Sequence, residues 1–96
     1  CFSYAASCEA RELRLVASAG LQQDDRARFA VLRFGELVCG KVAERREAIV
    51  LDEPALLAFD GAWLLRARGM RACASVPMLS GNELVGTVAF ATGALP

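Results

Sequence analysis

Hydrophobic and polar positions alternate most clearly near the end of the chain. From Met70 to Met78, Ala72, Ala74, Val76 and Met78 share one side of a period-two pattern, and only Cys73 is clearly apolar on the other. From Glu83 to Ala91, Val85, Val88, Ala89, Phe90 and Ala91 are apolar on both sides. Ser80-Gly81-Asn82 joins the two runs, and its Gly and Asn tolerate positive φ, so the segment predicts a β-hairpin. A strand apolar on both sides belongs inside a sheet that is covered on both faces.

Earlier in the chain the pattern predicts strands over Cys1–Ala6 and Glu12–Ala19, with Leu13, Leu15 and Ala17 alternating with Arg14, Val16 and Ser18 until Gly20. Asp24 or Asp25 caps a short helix through Leu32, and Leu37–Arg45 predicts a second with Gly40 inside it. Ala48–Leu51 predicts a brief strand. A third helix starts at Glu53-Pro54, where Pro is tolerated in the first turn, and runs to about Arg68 before Gly69 stops it.

This order predicts an α+β domain: a central antiparallel sheet of about five strands, with the crossover helices between Gly20 and Gly69 on one face. Those helices cover only one of the two apolar sets of the last strand, Val88 with Phe90 or Ala89 with Ala91. A neighbouring chain or flanking helices outside the segment should shield the other, so the segment alone is expected to self-associate as a two-fold dimer.

Composition sharpens this. Ninety-six residues make one domain, 1–96, and a hydrophobic fraction of 55% is high for so small a core. The abrupt start inside a strand, without Met, suggests a piece of a longer protein. No apolar run reaches the roughly 18 residues of a membrane span, and no basic signal-peptide start precedes the first strand. Eleven basic and eleven acidic side chains are scattered along the chain, which argues against nucleic acid as a partner. Cys1, Cys8, Cys39 and Cys73 form no Cys-x-x-Cys pair and there is no histidine, so a metal site and a Cys39–Cys73 disulfide are not expected. A reducing, cytoplasmic setting fits buried free thiols.

An ordered set of segments resembles the GAF domain family. It comprises Leu13 to Leu21, Phe34 to Glu44, Ala48 to Asp52, Gly69 to Ala72, Val76-Pro77-Met78 and Leu84 to Thr92. No segment is specific alone; their order and spacing carry the resemblance. It implies a GAF/PAS-like sheet whose terminal helices are missing here, in a small-molecule-sensing and dimerising module. The parent would be a bacterial signalling protein, such as a sensor histidine kinase of a two-component system, with its own output domain. It also implies a ligand pocket between the sheet and the crossover helices.

For that pocket the candidate ligand-binding residues are Tyr4, Cys39, Phe59, Asp60, Trp63 and Cys73. On a continuous helix Leu56, Phe59 and Trp63 share one face, and core packing takes precedence over ligand stacking there. Asp60 falls on the edge of that face. Tyr4 offers a hydroxyl to a cavity or a sheet edge, and inert burial is the first reading of Cys39 and Cys73. No cofactor is expected: bilin-binding members use a cysteine near a histidine, haem-binding members commonly a histidine ligand, and this chain has none. The spaced Asn, Lys, Phe, Asp and Glu signature of cyclic-nucleotide-binding members is not found either. The enzymatic alternative is a thiol-based redox enzyme or sensor resembling free methionine-R-sulfoxide reductase, since Cys39-Gly40 resembles a cysteine of that site. Glu53 to Arg68 supplies no nucleophilic cysteine where that family needs one.

Overall fold

The computed structural model describes residues 2–19, 23–67 and 69–93. Six strands form one sheet in the order β3-β2-β1-β6-β5-β4, and every pairing is antiparallel. The strands are β1 (Phe2–Ser7), β2 (Glu12–Ser18), β3 (Val31–Arg33), β4 (Ile49–Leu51), β5 (Met70–Ser80) and β6 (Glu83–Gly93). The helices are α1 (Gln23–Phe29), α2 (Leu37–Arg45), α3 (Glu53–Ala58) and α4 (Trp63–Ala67), with a 3₁₀ turn at Asp60–Ala62.

The β5–β6 hairpin follows the alternation pattern. Gly81 takes φ 61° as the first of two connecting residues, the position at which a type II′ turn requires glycine. The strands pair from Met70↔Gly93 to Ser80↔Glu83, and the register slips between Met78↔Gly86 and Leu79↔Leu84, leaving Val85 as an extra residue. Side chains at Cys73, Ser75, Thr87 and Ala89 therefore point toward the helices and are buried. The more apolar row of β5 and its partners on β6 lie on the opposite face. There Val76, Val85 and Phe90 stand 41%, 45% and 56% exposed, joined by Val50 from β4. One apolar face is thus uncovered among the described residues.

Three local predictions need correction. The first helix ends at Phe29 rather than Leu32, because Val31–Arg33 pairs with β2 through Leu13↔Leu32 and becomes the sixth strand. The helix starts at Gln23, so Asp24 and Asp25 both lie within it rather than at its N-cap position, and Asp25 is buried. The helix expected from Glu53 to Arg68 is broken. Asp52 caps its start by accepting from the Ala55 N–H at 3.0 Å, but Phe59 is extended at φ −88°, ψ 121° and the chain restarts through the 3₁₀ turn. The Arg66 guanidinium donates to the carbonyls of Leu56 and Phe59 at 2.9 and 2.8 Å, satisfying the end of α3 from within the next helix. Cys1, Gly20, Leu21 and Arg68, named in the sequence reading, lie outside the described residues.

Helix α2 lies on the sheet over β5 and β6, beside the α3–α4 strap, which itself packs on β5 and meets α2 through the 3₁₀ turn. Cys39 and Ala43 join the cluster of Phe2, Tyr4, Leu13 and Leu84, while Val38 and Val42 join that of Ile49, Leu51, Leu56 and Cys73. At its far end Arg46, in the left-handed conformation, donates from its guanidinium to the Asn82 carbonyl at the hairpin tip. No helix among the described residues is long and apolar enough to cross a membrane.

Candidate functional site

The site forms where three short elements meet above the sheet. Between β3 and α2 the chain turns through Gly35 and Glu36, whose carboxylate accepts from the Arg33 N–H at 2.7 Å. Leu37, the first residue of α2, takes φ 54°, a left-handed backbone that costs an L-residue about 1–2 kcal/mol. The 3₁₀ turn presses against it. A Cβ on Gly61 would meet the Leu37 carbonyl carbon and oxygen at 2.9 Å, so only glycine permits this approach. That tertiary contact, invisible to helical spacing, accompanies the break in the strap.

Two cavities flank the contact. The outer one is an open cleft of about 530 Å³ bordered by Arg28, Glu36, Lys41, Asp60 and Trp63. This size suits a small-molecule ligand. Lys41 Nζ sits 5.8 Å from the centre of the Phe59 ring, within cation–π range. Among the described residues the one ion pair is Arg14–Glu12, so Arg28, Lys41 and Asp60 carry their charges into the cleft without a salt-bridge partner there. The inner cavity lies under the helices, between Phe2, Phe29, Val38, Cys39, Leu65, Cys73 and Ala89. It holds about 20 Å³ accessible to the centre of a water molecule, room for about one water. Leu32, Leu37 and Gly61 border both spaces and form the partition between them.

The residues singled out from the sequence divide between these spaces. Asp60 and Trp63 line the outer cleft, and Cys39 and Cys73 line the inner cavity. Tyr4 and Phe59 line neither. The Tyr4 hydroxyl donates to the Phe29 carbonyl at 2.8 Å, fastening β1 to the end of α1, and burial pushes its pKa up. Phe59 packs half-buried against the Val38–Leu56 cluster. Trp63 is 52% exposed at the cleft rim, because the break at Phe59 rotates it away from the face of Leu56. It does not pack in the core.

Both lining cysteines are free thiols held protonated. Burial pushes the Cys39 thiol up against a smaller downward pull from the hydroxyls of Ser75 and Thr87; Ser75 Oγ donates to its sulfur at 3.7 Å. Thr87 Oγ1, facing the same thiol and fully buried, falls outside hydrogen-bond geometry. Burial, with a smaller contribution from Cys39, pushes Cys73 up to about 11. Ser75 and Thr87 were missed in the sequence reading. The signal was their place in the rows of Cys73 on β5 and of Ala89 and Ala91 on β6, which turn out to face the helices. Lys41, one turn after Leu37 on α2, was also missed. Among the described residues no three Cys, Asp or Glu side chains converge as metal ligands.

Solved structures share this architecture. The GAF domain of a phosphoenolpyruvate-protein phosphotransferase from Acinetobacter superposes with TM-score 0.76 at 19% identity, covering 95% of this chain and 52% of that one. The corresponding domain from Coxiella burnetii gives TM-score 0.71 at 26% identity, over 95% and 54%. The free methionine-R-sulfoxide reductase of Neisseria meningitidis, solved in complex with its substrate, gives TM-score 0.73 at 19% identity, over 94% and 49%. The chain thus spans about half the length of each of these proteins. No curated protein sequence matches it. The family model for the GAF domain matches residues 3–95, and with the six-stranded antiparallel sheet beneath its crossover helices, the chain belongs to the GAF domain family.

Proposed function

We propose that this domain senses a small molecule on behalf of a larger signalling protein. The observation that carries the reading is the outer cleft, a ligand-sized space whose charged side chains Arg28, Lys41 and Asp60 have no ion-pair partner among the described residues. Charged groups gathered in a concave site beside an apolar wall are the usual makings of a small-molecule site. A thermal-shift screen against a metabolite panel tests it. A hit should stabilise the protein, and Lys41→Ala should reduce that stabilisation while leaving the fold intact. A panel without hits would leave the domain as a spacer.

The same proposal extends to assembly. Val50, Val76, Val85 and Phe90 make an apolar surface on the sheet face opposite the helices, and a second copy or helices of the parent protein would bury it. An output domain of the parent, such as a histidine kinase, would then read the state of the cleft through that layer. A thiol-based activity draws less support. Cys39 and Cys73 are buried and their thiols are pushed up, whereas a nucleophilic cysteine needs a thiolate within reach of its substrate. Turnover of free methionine-R-sulfoxide, lost on Cys39→Ser, would reverse that judgement.

A further inference from the structure

Strand β3 is an edge of the sheet, and its pairing with β2 fixes which of its backbone groups face outward. The Leu15 N–H donates to the Ala30 carbonyl at 2.8 Å, and the Phe34 N–H to the Arg11 carbonyl at 3.0 Å. Bonding alternates along an antiparallel pair, so Leu32 bonds to Leu13 while the N–H and C=O of Val31 and Arg33 point away from the sheet. Arg33 is already closed. Its N–H donates to the Glu36 carboxylate at 2.7 Å, and its carbonyl accepts from the Glu36 N–H at 3.0 Å. Gly40 of α2 packs there so closely that a Cβ on it would lie 2.5 Å from that carbonyl oxygen. Val31 is open: no hydrogen bond among the described residues reaches its outward N–H or C=O.

This open pair borders the outer cleft. Leu32 turns its side chain into the core, so the Val31 side chain turns to the other face and Val31 brings its backbone edge to the cleft. Around it the charges balance. Arg28 and Lys41 stand with Glu36 and Asp60, and none of the four forms an ion pair among the described residues. From this edge, and resting on the ligand-sensing reading above, we infer that the cleft binds a short peptide with free termini, and that a tripeptide fits it best. Val31 can exchange two hydrogen bonds with one residue laid opposite it, provided that residue has an amide N–H and an amide C=O of its own. The central residue of a tripeptide meets this condition, and no residue of a shorter free peptide does. The ammonium and carboxylate at its ends supply one charge of each sign to a cleft that offers both. A longer peptide finds no second outward pair, because Glu36 and Gly40 close Arg33 and the chain on the other side is helical at Phe29.

The test uses the whole chain with alanine and di-, tri-, tetra- and penta-alanine, followed by calorimetry and backbone amide chemical shifts. Affinity should rise up to tri-alanine and then level off, and the Val31 amide proton should move downfield on binding. Tri-alanine acetylated and amidated at its ends should bind about tenfold more weakly. An N-methyl group on the central residue, which removes the donor to the Val31 carbonyl, should weaken binding about fivefold. Val31→Pro should cost a similar factor, since it deletes an N–H that makes no bond to β2, at an edge position where proline is tolerated. Val31→Thr, which alters only the side chain on the other face, should bind as the parent does. Should Val31→Pro fail to fold, the N-methylated ligand tests the same backbone pair on the intact protein. Affinity that keeps climbing beyond tri-alanine, capped or N-methylated peptides that bind as well as the free one, or binding that leaves the Val31 amide unmoved overturns the inference. If a metabolite of the panel binds while no peptide does, the peptide site falls and the sensor stands. If neither binds, both fall.

Discussion

The hydroxyl of Tyr4 on the central strand β1 donates to the carbonyl of Phe29, 25 residues away, across 2.8 Å of protein interior. This bond fixes where α1 ends and β3 begins, and so it sets the edge from which the cleft is built. Removing the hydroxyl leaves a carbonyl without its donor in a buried place. Tyr4→Phe is expected to cost about 1–3 kcal/mol, read as a lower urea midpoint at unchanged slope. A variant as stable as the parent would show that water replaces the phenol.

Gly86 faces the same strand from β6. A Cβ there would lie 2.1 Å from the Tyr4 carbonyl oxygen, so β1 and β6 could not keep their spacing. Gly86→Ala should destabilise the domain by about 3 kcal/mol. Gly81→Ala meets nothing within 4 Å but must hold φ 61°, so its cost should be about 1–2 kcal/mol. Chemical denaturation of the pair should give this ranking; the reverse order would disprove the close-approach argument.

The protonated thiols and the buried phenol together predict an alkaline limit. In the unfolded chain a thiol ionises at about 8.5 and a tyrosine at about 10. In the fold Cys73 is pushed up to about 11, and Cys39 and Tyr4 are also raised, all chiefly by burial. The unfolded state therefore releases protons first as pH rises. The stability these groups contribute is complete below pH of about 8.5 and declines as pH climbs toward the folded value of Cys73. The melting temperature should fall from pH 8.5 upward, and Cys73→Val should flatten the first part of that fall. An unchanged profile in the variant would contradict the burial of this thiol.

Arg66 holds the broken strap by its two bonds to Leu56 and Phe59. Arg66→Met keeps most of the packing and removes both donors. Amide exchange should accelerate through α3 and the 3₁₀ turn by about tenfold, while β5 and β6 keep their protection. Uniform acceleration across the sheet would mean that the strap does not open separately.

The apolar outer face should show itself in solution. If Val76 and Phe90 meet a second copy, light scattering of the chain should report a dimer, and Val76→Ser with Phe90→Ser should shift it to monomer at unchanged secondary structure. A parent that is monomeric at high concentration would contradict the assembly proposal.

What the sequence disclosed follows from the range of the interactions involved. The hairpin was legible because alternation and the Gly81 turn are local, and α2 was legible from Leu37 to Arg45 for the same reason. The strand Val31–Arg33 was not. Its three residues make no pattern of their own and depend on pairing with Leu13 and its neighbours. The helix over Glu53–Arg68 failed because the contact of Gly61 with Leu37 is tertiary, and with it failed the placement of Trp63 in the core. Of the candidate ligand-binding residues, Cys39, Asp60, Trp63 and Cys73 line one cavity or the other. Tyr4 is diverted to Phe29 by a bond that no spacing rule foretells.

Helix α2 is pinned at both ends, and this makes it a transmission rod. Its first turn bears on Gly61 at the cleft, and the residue after its last turn grips the Asn82 carbonyl at the hairpin tip. A helix of this length is stiff, about 14 Å of continuous hydrogen-bonded backbone. A push on Leu37 is therefore delivered to Asn82 rather than absorbed along the way. Severing that grip with Arg46→Gly should leave the cleft able to fill while the hairpin amides no longer register its occupancy.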